Sequence, residues 1–204
     1  MLLTTLLVSQ SAMAEYYGLK VGGVSVTSEN CTNITGEHIK PWLDGYISTC
    51  SYNPETKTLT LGNISIVRSG SGNRAILNES CDGLTIRFVN PCQLSATNAS
   101  PLRLNANTTI TSIPMDVTNV SGYWGFSIYI EGDYEDAITI GNGARCEIKD
   151  CTNMKIEADR SSGIVGNTGA EMLTIINSDI KIYRPETYTA QPTWAGIKNL
   201  LSVF

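Results

Sequence analysis

The chain has 204 residues, of which 42% are hydrophobic and 16% charged, and its formal net charge is -5. This length suits one domain with a continuous core and is short for two. Nucleic acids and anionic membranes attract basic surfaces, so the acidic balance argues against both as partners. Asn and Thr are abundant and most apolar residues are Ile, Leu and Val, which favours strands and turns over helices.

Residues 1–14 predict a secretory signal peptide. An apolar run from Met1 to Val8 precedes Ala12-Met13-Ala14, a small-x-small site that suits cleavage near Ala14. No Lys or Arg precedes the run, and the stretch is too short to span a bilayer. We therefore expect a secreted or periplasmic protein without membrane insertion.

Residues 15–66 predict an N-terminal β cap with the first strands. The segment from Tyr17 to Val26 is typical of a β-hairpin, and that from Tyr52 to Leu61 of two strands joined by a turn at Asn53-Pro54. A solenoid exposes a strand edge and part of its core at each end, and these strands could cover one of them.

Residues 67–204 predict stacked coils, because Ile76, Leu102 and Ile128 are spaced by 26 residues. Second strands are expected at Leu84–Ile86, Thr108–Ile110 and Ala137–Ile140. Third strands are expected at Val117, at Cys146–Ile148 with Met154–Ile156, and at Ile180–Ile182. Looser repeats begin at Ile164, with Leu173–Ile175 behind it, and at Ala195–Ile197. The apolar ending, Leu200 to Phe204, favours a chain that is truncated at this point.

Short alternating strands without helix-period segments predict an all-β fold, a right-handed parallel β-helix. A β-sandwich is the alternative, but it gives no reason for the equal spacing. The expected core consists of Leu61, Ile76, Leu84, Ile86, Leu102, Leu104, Ile110, Ile128, Ile130, Ile138, Ile140, Ile148, Ile156, Ile164, Leu173, Ile175, Ile180 and Ile182.

The motifs Tyr17–Ser28, Tyr52–Leu61 and Asp82–Ile86 resemble those of secreted proteins of gut Bacteroides and Prevotella, which look like pectate-lyase-type β-helices. The resemblance covers about residues 15–197. It implies a β-helix fold and export, and it implies no activity.

Six cysteines, at positions 31, 50, 81, 92, 146 and 151, allow two interpretations. In an exported chain they can form up to three disulfides, and the short separation of Cys146 and Cys151 makes these two the favoured pair. In a solenoid they can also be small inward-pointing residues. No C-x-x-C spacing indicates a metal or redox site.

The sequence predicts no catalytic residues and no cofactor. A calcium-dependent lyase needs clustered carboxylates, and the only dense group, Asp133, Glu135 and Asp136, lies in a turn where charged residues are ordinary. A hydrolase of this architecture needs paired carboxylates on adjacent coils, with a nearby His in the family pattern. The only histidine, His38, lies in the expected cap.

Aromatic residues give a modest signal for glycan binding. Alternation in the strand around Ile128 and Ile130 points Tyr129 outward, and Tyr123, Trp124 and Tyr134 flank that strand. Such rings can stack on sugars, although large aromatics more often pack into the protein.

Three functions therefore compete. The first is a non-enzymatic secreted protein that binds glycans weakly or mediates adhesion, the second is a polysaccharide lyase or hydrolase, and the third is a structural spacer.

Overall fold

The computed structural model describes residues 13–113, 127–141, 143–158, 164–166 and 172–183. In these segments the chain forms eighteen strands and no helix, and the strands build three six-stranded sheets. The first sheet contains β1 (Tyr16–Val21), β2 (Val24–Thr27), β7 (Ile76–Asn78), β10 (Leu102–Leu104), β13 (Ile138–Ile140) and β16 (Ile164–Gly166). The second contains β4 (Thr49–Asn53), β5 (Thr58–Gly62), β8 (Leu84–Phe88), β11 (Thr108–Ser112), β14 (Cys146–Lys149) and β17 (Leu173–Ile176). The third contains β3 (Ile39–Pro41), β6 (Ile64–Ser69), β9 (Cys92–Thr97), β12 (Ile128–Asp133), β15 (Met154–Ala158) and β18 (Ile180–Tyr183).

The architecture is a parallel β-helix of about four coils, as the sequence predicts. Each coil contributes one strand to the first, second and third sheet in turn, beginning with β7, β8 and β9. Strands of successive coils pair in parallel, for example β10 with β7 and with β13. A β-sandwich consists of antiparallel sheets, so this pairing rules out the alternative.

The core fills the space between the three sheets. Inward residues of paired strands stack in columns, such as Ile76, Leu102 and Ile138 in the first sheet. The predicted core residues are buried up to and including Ile156, and Leu173 is buried as well. Those of the last described coil, Ile164, Ile175, Ile180 and Ile182, are partly buried against the same core.

The predicted register is correct for the first two coils and wrong for the third. Ile76 does pair with Leu102, but Leu102 then pairs with Ile138, 36 residues later. Ile128 instead belongs to the third sheet, between Cys92 and Met154. The connection that precedes β12 is longer than its counterpart one coil earlier, so a count of 26 residues from Leu102 reaches a different sheet.

The same shift moves two other predicted strands. Ala137–Ile140, expected in the second sheet, contributes β13 to the first sheet, and Cys146–Ile148, expected as a third strand, contributes β14 to the second. The expected strands at Val117 and Ala195–Ile197 lie outside the described residues.

The N-terminal strands cover one end of all three sheets with antiparallel partners. β1 pairs with β2 and β7, β4 pairs with β5, and β3 pairs with β6. The β1–β2 turn is Gly22-Gly23, with φ of 58° and 84°, which only glycine adopts easily at both positions of such a hairpin. Because β1, β5 and β6 pair with β7, β8 and β9, the first complete coil does not present an open sheet edge at this end of the solenoid.

No helix among the described residues is long and apolar enough to cross a bilayer. The expected signal peptide falls mostly on residues 1–12, which lie outside the described part of the chain.

Candidate binding face

The outward side of the third sheet carries two columns of side chains, most of which are polar or aromatic. Alternate strand residues point away from the core, and the parallel register places those of successive coils side by side, about 4.8 Å apart. One column contains Ser65, Gln93, Tyr129, Lys155 and Lys181, and the other contains Val67, Ser95, Glu131, Glu157 and Tyr183. We call these ten residues the tyrosine face.

A hydrogen-bonded network lies at the centre of the tyrosine face. The Tyr129 hydroxyl donates to Glu157 Oε2 at 2.7 Å, and Lys155 Nζ lies 2.6 Å from the same oxygen. The Lys155 ammonium lies 5.0 Å from the ring centroid of Tyr129 and 4.8 Å from that of Tyr183. Only 15% of the Lys155 side chain is exposed. Two aromatic rings and a carboxylate therefore surround this cation, which fixes the position of all four side chains.

The network also fixes protonation states. Burial raises the pKa of Tyr129, and the hydrogen bond to Glu157 raises it further, so the hydroxyl keeps its proton. Burial alone would raise the pKa of Glu157, but hydrogen bonds from Lys155 and Tyr129 outweigh it and the pKa falls below its usual value. At neutral pH the site therefore holds a neutral phenol and an ionised carboxylate.

Glu157 gives a testable pH dependence. Its pKa is lowered by folding, so its ionised form contributes stability above the ordinary glutamate pKa of about 4.5, and this contribution is lost as pH falls through the lowered value. We expect Glu157→Gln to lower the melting temperature more at pH 7 than at pH 3, because the contribution of the ionised carboxylate decreases as pH falls below the ordinary glutamate pKa towards the lowered one. Thermal unfolding at both pH values measures this, with Glu55→Gln in an exposed turn as the control. An equal loss at both pH values would contradict the assignment.

Sequence reasoning missed Glu131 and Glu157, which lie on adjacent coils. Glu131 accepts a hydrogen bond from Ser95 Oγ at 3.2 Å. The signal was present, because Ile128-Tyr129-Ile130-Glu131 and Met154-Lys155-Ile156-Glu157 share one pattern 26 residues apart. The expected register, in which Ile128 follows Leu102 in one column, does not place Glu131 beside Glu157.

The predicted binding residues divide between the face, a corner and the undescribed part of the chain. Tyr129 is on the tyrosine face, half-buried, and Tyr134 follows β12 at the corner that leads to the first sheet. Tyr134 is 44% exposed. Tyr123 and Trp124 lie outside the described residues.

The three clustered acidic residues, Asp133, Glu135 and Asp136, lie at the same corner. Asp133 ends β12, and Glu135 and Asp136 continue the turn. Burial lowers the pKa of the Arg74 guanidinium, and the neighbouring Glu135 carboxylate opposes this shift. Within the described segments, no group of three or more His, Cys, Asp or Glu could hold a metal ion. His38 lies in the cap, in the turn before β3.

All six cysteines are buried free thiols. The structure therefore does not contain the disulfide expected between Cys146 and Cys151. Cys146 begins β14 and Cys151 follows its end, so an extended strand lies between them. The Cys151 thiol instead donates to the carbonyl of Ile110 at 3.7 Å. Both side chains are part of the core, which matches the alternative interpretation of the cysteines.

We expect the thiols to be unreactive in the folded protein. Burial raises the pKa of Cys50, Cys92, Cys146 and Cys151 to about 12, so the reactive thiolate is scarce at neutral pH. Titration with a thiol reagent should find no rapid reaction before unfolding and six thiols after unfolding without reductant. Four thiols after unfolding would instead show that one pair is bonded.

No protein-family model matches this sequence, and neither a curated protein nor a solved structure matches it.

Proposed function

We propose that this chain is an exported, non-enzymatic β-helix protein that binds glycans weakly at the tyrosine face. The observation that carries the proposal is the Lys155 ammonium held between two tyrosine rings and the Glu157 carboxylate. A sugar presents hydroxyls that both donate and accept, and apolar ring faces that stack on aromatics. A surface with fixed donors, fixed acceptors and an exposed ring meets these requirements.

Individual residues of the face suit different parts of such a ligand. Tyr183 is 42% exposed and offers aromatic surface, whereas Tyr129 is half-buried and positions Glu157 and Lys155. Gln93 and Glu131 add acceptor oxygens next to this centre. Because the face is built on paired strands, little side-chain or backbone ordering is required on binding.

Charge favours a neutral glycan over a polyuronate. The tyrosine face holds two glutamates and two lysines, and the whole chain has a net charge of -5. An anionic polymer would therefore gain little from the face and would be repelled by the rest of the protein.

The protonation states support binding without chemistry. A general acid or base is most effective when its pKa lies near the working pH. Glu157 is held ionised and Tyr129 is held protonated, so neither is suited to exchange a proton at neutral pH.

A polysaccharide lyase or hydrolase is the second candidate, and one observation favours it. Glu131 and Glu157 are paired on adjacent coils, and hydrolysis by two carboxylates requires a pair of such groups on either side of the scissile bond. The corner turn supplies three further carboxylates for this activity, those of Asp133, Glu135 and Asp136.

A glycan array combined with a cleavage assay distinguishes the candidates. We expect retention of neutral oligosaccharides and no release of reducing ends or unsaturated products from pectic or host glycans. Cleavage that disappears in Glu131→Gln, Glu157→Gln, Asp133→Asn or Asp136→Asn would establish the enzyme instead. If the protein neither binds nor cleaves any of these glycans, a structural spacer is favoured.

A further inference from the structure

The two carboxylates of the tyrosine face differ in their partners. Glu131 lies in the outward column between Ser95 of β9 and Glu157 of β15. Glu157 is paired with Lys155, whereas none of the ion pairs among the described residues includes Glu131. The Ser95 hydroxyl donates to Glu131 Oε2 at 3.2 Å. An ionised carboxylate can accept about four hydrogen bonds, so Glu131 keeps most of its capacity for a further donor.

The Tyr129 hydroxyl does not donate a hydrogen bond to Glu131. After burial and the hydrogen bond to Glu157, the charge of Glu131 is a further cause of the raised pKa of Tyr129, so this carboxylate lies close to the hydroxyl. A phenol has a single proton, however, and Tyr129 donates it to Glu157 Oε2 at 2.7 Å. Glu131 is only partly buried, so a donor from a ligand can approach it beside the Tyr129 ring.

The charges around Glu131 favour a cationic donor. β12 and β15 carry three outward carboxylates, those of Glu131, Asp133 and Glu157, and the single ammonium of Lys155. The outward residues of β9 are uncharged, and Lys181 lies on β18, two strands away from Glu131. Glu131 and Glu157 are like charges on neighbouring strands, about 4.8 Å apart, so a cation from a ligand would stabilise both.

The tyrosine face already holds one ammonium group. Lys155 Nζ lies 2.6 Å from Glu157 Oε2 and within 5.0 Å of two tyrosine ring centroids. A carboxylate and an aromatic ring both attract an ammonium, one through a charge-assisted hydrogen bond and the other through its π-electrons. Tyr129 and Glu131, two residues apart on β12, offer the same two kinds of group to a ligand.

We propose that the glycan of the tyrosine face contains amino sugars, and that Glu131 selects it by accepting a hydrogen bond from a sugar ammonium group. This inference rests on the proposed function. A sugar hydroxyl can occupy the same place, but an ammonium donates up to three hydrogen bonds and carries the positive charge that Glu131 lacks beside it. Charge-assisted hydrogen bonds are roughly twice as strong as neutral ones, so a cationic glycan binds more tightly than its neutral analogue.

Calorimetric titration with three β-1,4-linked hexasaccharides tests the selection, because they differ only in the group at C2. Cellohexaose has a hydroxyl there, the N-acetylglucosamine hexamer an acetamide, and the glucosamine hexamer an amine that is protonated in mildly acidic buffer. In such a buffer at low ionic strength, wild type should bind the glucosamine hexamer about tenfold more tightly than either neutral hexamer. Glu131→Gln should abolish this preference. Glu147→Gln, the matched control, removes the same charge from an ion pair with Lys149 on the second sheet and should retain the preference.

Wild type alone provides a second measurement, since alkaline buffer neutralises the amine and should abolish the preference as well. Equal affinity of wild type for the glucosamine hexamer and cellohexaose in acidic buffer, or binding only to glycans outside this set, overturns this inference and leaves the proposed function standing. A preference that persists in Glu131→Gln, or that falls equally in Glu147→Gln, also overturns it, because the ammonium then binds elsewhere or responds only to net charge. Failure of wild type to bind any glycan overturns the proposed function, and this inference with it.

Discussion

Ile138→Asp is expected to prevent stable folding, the largest effect of any substitution considered for this chain. Ile138 is fully buried in β13, in register with Leu102 on one side and Ile164 on the other. A carboxylate at this position would lie among apolar side chains, and an unpaired buried charge costs several kcal/mol, which is a large part of the stability of a typical domain. We expect insoluble protein, or a circular dichroism spectrum without the β-sheet signal.

Thr139→Asp is the matched control, because Thr139 is the next residue of the same strand and points outward. Its hydroxyl is hydrogen bonded to the Ser100 hydroxyl, from which a carboxylate can also accept. This variant should fold and unfold at close to the wild-type temperature. Full solubility and a native spectrum for Ile138→Asp would contradict the inward orientation of β13.

Asn78→Leu is expected to have the second-largest effect, a loss of about 3 kcal/mol in the free energy of unfolding. Asn78 is fully buried at the end of β7. The Cys81 amide donates to Asn78 Oδ1 at 2.9 Å, and Asn78 Nδ2 donates to the Cys81 carbonyl at 3.0 Å and to Thr108 Oγ1 at 2.9 Å. Leucine fills the same space but leaves buried backbone groups of Cys81 without these partners.

Chemical denaturation measures the loss, and Asn33→Leu in the cap is the control. Asn33 is exposed, so its replacement should change the free energy of unfolding by less than about 0.5 kcal/mol. An equally small change for Asn78→Leu would show that water or another side chain readily replaces the asparagine at this corner.

The sequence predicts the strands of this fold better than their arrangement. Alternation of apolar and polar residues identifies nearly all the inward positions, because a strand with one face on a core must repeat every two residues. The number of residues in a corner is not restricted in this way, since a connection can lengthen on the surface without disturbing the core. A single longer connection before β12 therefore shifted the predicted register of the third coil, whereas the strands that begin at Ile164, Leu173 and Ile180 occupy the sheets expected for them.

For the same reason, the sequence predicts the outward position of Tyr129 but not the side chains that contact it. The outward position of Tyr129 follows from alternation within one strand, so the sequence was sufficient to predict it. The contacts of Tyr129 with Glu157 and Lys155 depend on which strands are neighbours, and that information lies in the register. For Cys146 and Cys151, an inward position and a short separation in sequence are compatible with both a disulfide and two free thiols.

The most direct test of the account is calorimetric titration of cellohexaose into the wild-type protein, Tyr129→Ala and Thr111→Ala. Tyr129→Ala removes the hydroxyl that binds Glu157 and one of the two rings around Lys155, whereas Thr111 points outward from the second sheet, away from the tyrosine face. We predict that wild type and Thr111→Ala bind with equal affinity and that Tyr129→Ala, with an unchanged circular dichroism spectrum, binds about tenfold more weakly. Equal affinity in all three proteins, or no binding by wild type, would contradict the assignment of the tyrosine face as a glycan-binding surface.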